Sequence, residues 1–206
     1  VSPRGRFIAL EGGEGSGKST QAALLAASIG ALCTVEPGGT PVGERIRSIV
    51  LDPGLAPLAA RAEALLMAAD RAQHVAEVIE PALAAGRHVV TDRFEGSSLA
   101  YQGYGRGLDL DELRRLSRWA SGGLVPDLVV LLDVPVEVAA ARLAERGGAL
   151  DRFEGEDGAF HERVAAGFRE LAAADPERWV VVDGTGAVTE VARRVADACR
   201  ARLGLG

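Results

Sequence analysis

The run Gly12-Gly13-Glu14-Gly15-Ser16-Gly17-Lys18-Ser19 constrains this chain more than any other feature. It fits G-x-x-x-x-G-K-[ST], follows an apolar stretch at 6–11, and opens the helical pattern Gln21-Ala22-Ala23-Leu24-Leu25-Ala26. That strand–loop–helix order is the context in which such a loop wraps a phosphate. Glycines let the backbone curl so that N–H groups point inward at phosphate oxygens, and the helix N-terminus adds positive potential. On this reading Gly12, Gly13, Glu14, Gly15, Ser16, Gly17, Lys18, Ser19 and Thr20 form the nucleotide cradle. Lys18 reaches the β- and γ-phosphates, and the Ser19 hydroxyl ligates Mg²⁺. Glycine is 26 of 206 residues, about twice the usual share of roughly 7%, so a glycine pattern alone weighs less here. The lysine weighs more: the chain has 22 arginines and one lysine. Position 18 needs a compact ammonium that a planar guanidinium cannot replace.

Around this loop, short apolar runs alternate with longer amphipathic segments, the pattern of βαβ units around a parallel sheet. Strands are expected at 6–11, 31–36, 88–92, 128–133 and 179–183. Most are rich in Val, Ile and Leu without alternation, as strands covered by helices on both faces are. Helices are expected at 18–28, 42–51, 59–84, 110–121, 136–145, 159–173 and 189–203. Pro41, Pro81, Pro135 and Pro176 fall near helix ends, where proline is tolerated. The segment 146–158 holds four glycines and six charged residues and reads as a mobile surface loop. The expected fold is α/β: a P-loop NTPase-type three-layer α/β/α domain over 1–206, with a five-stranded parallel sheet surrounded by helices and a short lid.

Composition narrows the class. A length of 206 residues suits one domain. Lys plus Arg at 23 against Asp plus Glu at 29 gives a net charge of −6, which argues against nucleic acid as a partner. With 48% hydrophobic and 25% charged residues, bulk disorder is excluded. No apolar run approaches the roughly 18 residues needed to span a bilayer, so no membrane partner is expected. The polar start at 1–6 shows no signal-peptide pattern, and Cys33 and Cys199 have neither disulfide nor metal-site spacing. Both favour the cytoplasm.

A second constellation is Val90-Thr91-Asp92-Arg93-Phe94, an apolar run ending in a charged pair. A carboxylate at the C-terminal end of a parallel strand lies by the ligand crevice. There Asp92 can hold Mg²⁺ or its water, and Arg93 can fork a substrate phosphate. A surface ion pair capping a strand would give the same pattern. His74, His88 and His161 stand in unrelated contexts and suggest no metal site.

The stretch from Phe7 to Gln21 resembles the opening of bacterial thymidylate kinases. The blocks Glu36-Pro37-Gly38-Gly39-Thr40-Pro41 and Asp70-Arg71-Ala72-Gln73-His74 continue that resemblance in the family's order and spacing. So do Asp92-Arg93-Phe94 with Ser97-Ser98-Leu99-Ala100-Tyr101-Gln102-Gly103, and Leu150-Asp151-Arg152-Phe153-Glu154. It implies Mg²⁺-assisted phosphorylation of dTMP to dTDP by ATP, in a homodimeric cytoplasmic enzyme whose small-molecule partners are ATP and dTMP. The attacking group would be a phosphate oxygen, largely ionised at neutral pH because its second pKa is about 6. Positioning and charge then matter more than a general base. The residues alone leave two other readings open. One is a kinase of another nucleoside monophosphate or of a deoxynucleoside, with Glu11 or Asp92 as base. The other is a P-loop switch without turnover.

The resemblance also implies roles. Lys18, Arg93, Arg146 and Arg152 are the expected catalytic cations, and Ser19 and Asp92 the metal side. Glu14, Met67, Arg71, Arg93, Ser97, Ser98 and Tyr101 are the expected dTMP pocket. Some members carry an arginine in the phosphate loop where this chain has Gly15. That shifts the arginine requirement to the lid at about 142–158, where Gly147-Gly148 would allow closure. Arg142, four residues before Arg146, would serve equally well to solvate its helix. Met67 stands where a Phe usually stacks on thymine; its thioether can pack against an aromatic face or belong to the core. Arg71 is expected to bond the base, Ser98 stands where some members carry a base-reading amide, and Tyr101 would crowd a ribose 2′-hydroxyl. Val35 replaces an arginine found in most bacterial relatives.

Overall fold

Strand β1 (Phe7–Glu11) is buried along its whole length. Its side chains alternate, so Ile8 and Leu10 join one apolar layer while Phe7 and Ala9 join another. Covering both faces requires helices on both sides, and parallel pairing requires a crossover after each strand. The computed structural model, which describes residues 4–55 and 57–205, has that arrangement. The polar start read at 1–6 therefore lies partly outside the described residues, at 1–3.

After β1 come α1 (Lys18–Ile29), β2 (Leu32–Val35), α2 (Pro41–Val50), α3 (Ala60–His74), a π turn (Val75–Ile79) and α4 (Glu80–Ala84). Then follow β3 (Val89–Asp92), α5 (Glu95–Ser98), a second π turn (Leu99–Gly105) and α6 (Leu110–Ala120). The chain continues through β4 (Leu128–Asp133), α7 (Val136–Arg146), α8 (Gly158–Ala174), β5 (Trp179–Asp183) and α9 (Val188–Leu203). The sheet order is β2-β3-β1-β4-β5, and each pair is parallel. Leu10 is in register with Asp92, and Asp92 with Val35. The carboxyl ends of β1, β2 and β3 thus meet at one edge, where open α/β sheets bind ligands.

One layer of the core sets Ile8, Leu10, Val90, Val130 and Leu132 against Ala22 and Leu25 of α1 and Val191 and Val195 of α9. On the other side Phe7, Ala9 and Val129 meet Val75, Ile79 and Leu83. Leu131 meets an aromatic group of Tyr101, Phe153, Phe160 and Phe168. Phe153 comes from the expected lid, so the far part of that segment is anchored in the core.

Two departures from the expected elements have local causes. The helix read over 59–84 is interrupted by the π turn Val75–Ile79, just before Pro81, which has no N–H to continue the α-helical ladder. No helix is among those expected between 92 and 110, where Gly96, Gly103 and Gly105 are poor helix formers. That segment is nonetheless helical, and its glycines make room for neighbouring side chains: a Cβ on Gly103 would lie 2.4 Å from Leu110 Cδ2, and one on Gly105 2.6 Å from Phe160 Cε2.

Leu131 is 1% exposed at the centre of β4, whereas Val188 is 53% exposed at the start of α9. In urea denaturation Leu131→Ala should cost about 2–5 kcal/mol. Val188→Ala should stay within about 0.5 kcal/mol.

Candidate active site

The carboxyl edge of the sheet opens into a cleft of about 950 Å³. The phosphate loop forms one wall, with Glu14, Gly15, Gly17, Lys18, Ser19 and Thr20 reaching the lining. Gly12 (φ 148°), Gly15 (φ 71°) and Gly17 (φ 87°) adopt backbone angles that L side chains rarely reach. Gly15 is also sterically closed, since a Cβ there would lie 2.4 Å from the Ala139 carbonyl oxygen of α7. An arginine at this position would have to displace α7, which explains physically why this loop carries none. Gly12, Gly13 and Ser16 belong to the loop but not to the cleft lining.

Lys18 is buried, and its Nζ donates to the Gly13 carbonyl at 2.7 Å and to Ser16 Oγ at 3.2 Å. Burial pushes its pKa down to about 8, helped by the nearby Arg93 and opposed by Glu14, Asp92 and Glu11. Ser19 Oγ donates to Asp92 Oδ2 at 2.5 Å. The other oxygen, Asp92 Oδ1, is buried without a hydrogen-bond partner. A hydroxyl and a carboxylate side by side, with one oxygen unsatisfied, suit Mg²⁺, which takes few protein ligands and completes its shell with water and phosphate oxygens.

Arg93 is the single non-glycine residue with positive φ, 74°, among the described residues. For a long side chain this is a strained backbone. It aims the guanidinium across the cleft floor, where Nη1 donates to the Gly12 carbonyl at 3.1 Å and to Ser97 Oγ at 3.0 Å. Nη2 donates to Glu14 Oε1 at 2.5 Å and to Tyr101 Oη at 3.2 Å, and the group sits 4.9 Å from the Tyr101 ring centre. Burial opposes ionisation of Glu14, yet Arg93, Lys18 and the Tyr101 hydroxyl draw its carboxyl down to about 2. Glu11 lies beneath, fully buried, accepting from the Phe94 and Ser97 amides at 3.0 and 3.1 Å and from Ser97 Oγ at 2.6 Å. Burial pushes its carboxyl up to about 7, against those hydrogen bonds and the Arg93 charge.

The opposite wall comes from α2, α3 and the second π turn. Met67 and Tyr101 line the cleft, as do Val35 and Ser97, but Arg71 and Ser98 do not reach its lining. Arg71 is 1% exposed and donates to Glu36 Oε2, Ser117 Oγ and Ser98 Oγ at 3.0, 3.0 and 3.1 Å. The other Glu36 oxygen pairs with His74 Nδ1 at 2.9 Å. Burial and the neighbouring Glu36 push Asp70 up to about 6. Among the cleft residues given no role from the sequence are Arg47, which donates to the Pro37 carbonyl at 2.9 Å, and Gln102. Gln102 was legible as the neighbour of Tyr101 in the Ser97–Gly103 block, whereas nothing in the pattern of α2 distinguished Arg47.

The lid arginines separate. Arg142 lines the cleft and donates to the Gly184 carbonyl at 3.0 Å. Arg146 also lines it, exposed and paired in a two-pronged fork with Glu154 at 2.8 Å on each arm. Arg152 is absent from the lining; its Nη2 lies 2.7 Å from Glu63 Oε2 and its Nε donates to the Val50 carbonyl.

Comparison with known proteins agrees with this geometry. The family model described as Thymidylate kinase matches residues 10–195. The chain belongs to the thymidylate kinase family. It is 52% identical over 204 residues to a thymidylate kinase of Synechococcus sp. (strain JA-2-3B'a(2-13)), covering 97% of this chain and 96% of that protein. It is 48% identical over 207 residues to one from Trichlorobacter lovleyi, covering 96% and 98%. A thymidylate kinase of Leifsonia xyli subsp. xyli is 51% identical over 196 residues, covering 93% and 92%. The family's P-loop NTPase-type α/β fold is the one described above.

Unfolded Glu11 loses its proton near pH 4.5 and folded Glu11 near 7, so the folded state binds more protons between those values. Asp70 acts in the same direction between 3.8 and about 6. These groups make stability fall as pH rises from about 4.5 to about 7. Glu11→Gln, which keeps the acceptor oxygen but not the charge, should flatten that fall, as denaturant midpoints at pH 5 and pH 8 would show.

Proposed function

We propose that the cleft catalyses transfer of the γ-phosphoryl group of ATP to dTMP, giving dTDP, within a single kinase unit. The observation that carries this reading is the placement of Arg93. It joins the phosphate loop, through Gly12 and Glu14, to Ser97 and Tyr101 on the acceptor side. A switch without turnover has no use for such a bridge.

The roles follow from charge and position. The loop amides and Lys18 hold the β- and γ-phosphates of ATP. Ser19 and Asp92 would hold Mg²⁺, which would supply charge neutralisation for the phosphates. On the acceptor side, Arg93 forks the dTMP phosphate by exchanging the Nη2 bonds to Glu14 and Tyr101 for phosphate oxygens, while Gly12 and Ser97 fix the guanidinium through Nη1. Met67 packs against the base, and Arg71 with Ser98 orders the floor behind it. The dTMP phosphate is already largely ionised, its second pKa being about 6, so the attacking oxygen needs no general base. Charge on the transferring group is met by Lys18, Arg93 and, from the lid, the exposed Arg146, which its partner Glu154 holds at the cleft. Arg152, the other expected lid arginine, supports the same closure from outside the lining.

The protein acts in the cytoplasm as a homodimer on this reading. Among the described residues no helix is long and apolar enough to cross a membrane. Trp119 is 83% exposed on α6 and Leu65 58% exposed on α3, and such large apolar groups on neighbouring helices suit a subunit contact.

Initial rates with ATP and a panel of nucleoside monophosphates and deoxynucleosides test the assignment. dTMP should give the highest kcat/KM; a deoxynucleoside as the preferred acceptor would refute the assignment, as would the absence of turnover with every acceptor. Arg146→Ala should lower kcat by at least roughly a hundredfold with little change in ATP affinity, as loss of a transition-state arginine does.

A further inference from the structure

Glu63 has no part in the reading above, yet it is a fully buried carboxylate on α3 that draws two arginines. Its Oε1 accepts from Gln102 Nε2 at 2.8 Å. Its Oε2 lies 2.7 Å from Arg152 Nη2 and 3.3 Å from Arg106 Nη2. Arg106 in turn meets Glu156 Oε1 at 2.6 Å. The Phe153 ring is near both guanidiniums, 4.7 Å from that of Arg152 and 5.8 Å from that of Arg106. Backbone bonds complete the attachment: Arg152 N donates to the Leu51 carbonyl at 3.1 Å, and Arg152 Nε to that of Val50 at 2.8 Å.

These contacts tie three cleft walls together. Glu63 is one helical turn before Met67 and on the same buried face of α3. Gln102 adjoins Tyr101, and Arg152, Phe153 and Glu156 belong to the segment after Arg146. With Glu63 and Glu156 against Arg106 and Arg152, the four formal charges cancel. Removing Glu63 would leave Arg152 without its carboxylate and Arg106 with Glu156 alone, in a largely buried site, which is unfavourable.

We propose that Glu63 is a positioning residue, a latch that holds the lid over the cleft by pairing with Arg152 and Arg106 and sets the amide of Gln102 on the acceptor wall. Arg152 is the lid's half of that latch, which leaves Arg142 and Arg146 as the lid arginines on the cleft lining. The inference rests on the kinase reading for its consequence in turnover, but not for the latch itself.

The test compares full-length wild-type protein with Glu63→Gln, Arg152→Met, Arg152→Lys and the Glu63→Gln/Arg152→Met double variant. Hydrogen exchange of amides 147–156 is measured beside steady-state kinetics with ATP and dTMP. In Glu63→Gln the side-chain amide N–H₂ would face other donors. Its lid amides should exchange at least about tenfold faster while those of β1 and β4 keep their protection. Its kcat should fall roughly ten- to a hundredfold, as when a reacting group is misplaced by about an ångström. Arg152→Met should behave alike, the double variant should be no worse than either single one, and Arg152→Lys should recover part of the lid protection. Unchanged lid exchange in both Glu63→Gln and Arg152→Met would overturn the latch, and so would fully additive losses in the double variant. If Glu63→Gln fails to fold, Arg152→Met carries the same comparison. Faster lid exchange in a protein whose wild type does not phosphorylate dTMP would leave the latch standing and remove the kinase reading.

Discussion

The site depends on one guanidinium. Arg93 follows β3 in a left-handed backbone conformation and reaches the phosphate loop, the acceptor wall and the Tyr101 ring at once. A residue in that conformation persists only when its surroundings over-determine it, and here they do. The Arg93 amide donates to the Leu10 carbonyl of β1, and Glu11 holds the following Phe94 and Ser97 amides. The parallel register that sets Leu10 beside Asp92 is therefore what aims Arg93. Sheet pairing, burial of Glu11 and the polarity of the cleft form one connected arrangement.

Electrostatics around that group follow from crowding charges away from water. Burial alone would protonate Glu14 and discharge Lys18, and each is influenced by the other and by Arg93. Glu14 stays ionised because cations face it, while Glu11, with amides and a hydroxyl as its partners and Arg93 further off, is pushed towards the neutral form. Two carboxylates three residues apart thus differ in charge state near neutral pH, and Glu11 adds less negative charge beneath Lys18 and Arg93 than an ionised carboxylate would.

Much of this was legible in the sequence, for stated reasons. The central strands β1, β3 and β4 stand out because burial on both faces favours apolar runs, and the phosphate loop because its glycines and lone lysine follow a strand directly. Asp92 and Arg93 were visible as charges ending an apolar run. The helical character of 95–105 was hidden, since Gly96, Gly103 and Gly105 speak against a helix locally and are required only by the side chains of Trp179, Leu110 and Phe160, which come from other parts of the chain. For the same reason the two lid arginines looked equivalent. Their difference lies in Glu63, 89 positions before Arg152 and brought to it only by the fold. Arg71 likewise reads as a base-contacting group, and its enclosure by Glu36, Ser98 and Ser117 is set by three separate elements.

The proposed recognition of the acceptor's phosphate by Arg93 is read from a cycle that removes either partner. Binding of dTMP and of thymidine is measured by calorimetry on wild-type protein and on Arg93→Met. Arg93→Met should weaken dTMP by about 1.5–3 kcal/mol, the range for hydrogen bonds to charged groups, and leave thymidine nearly unchanged. Equal weakening of both ligands would contradict the account, because Arg93 would then be shaping the cleft without contacting the phosphate.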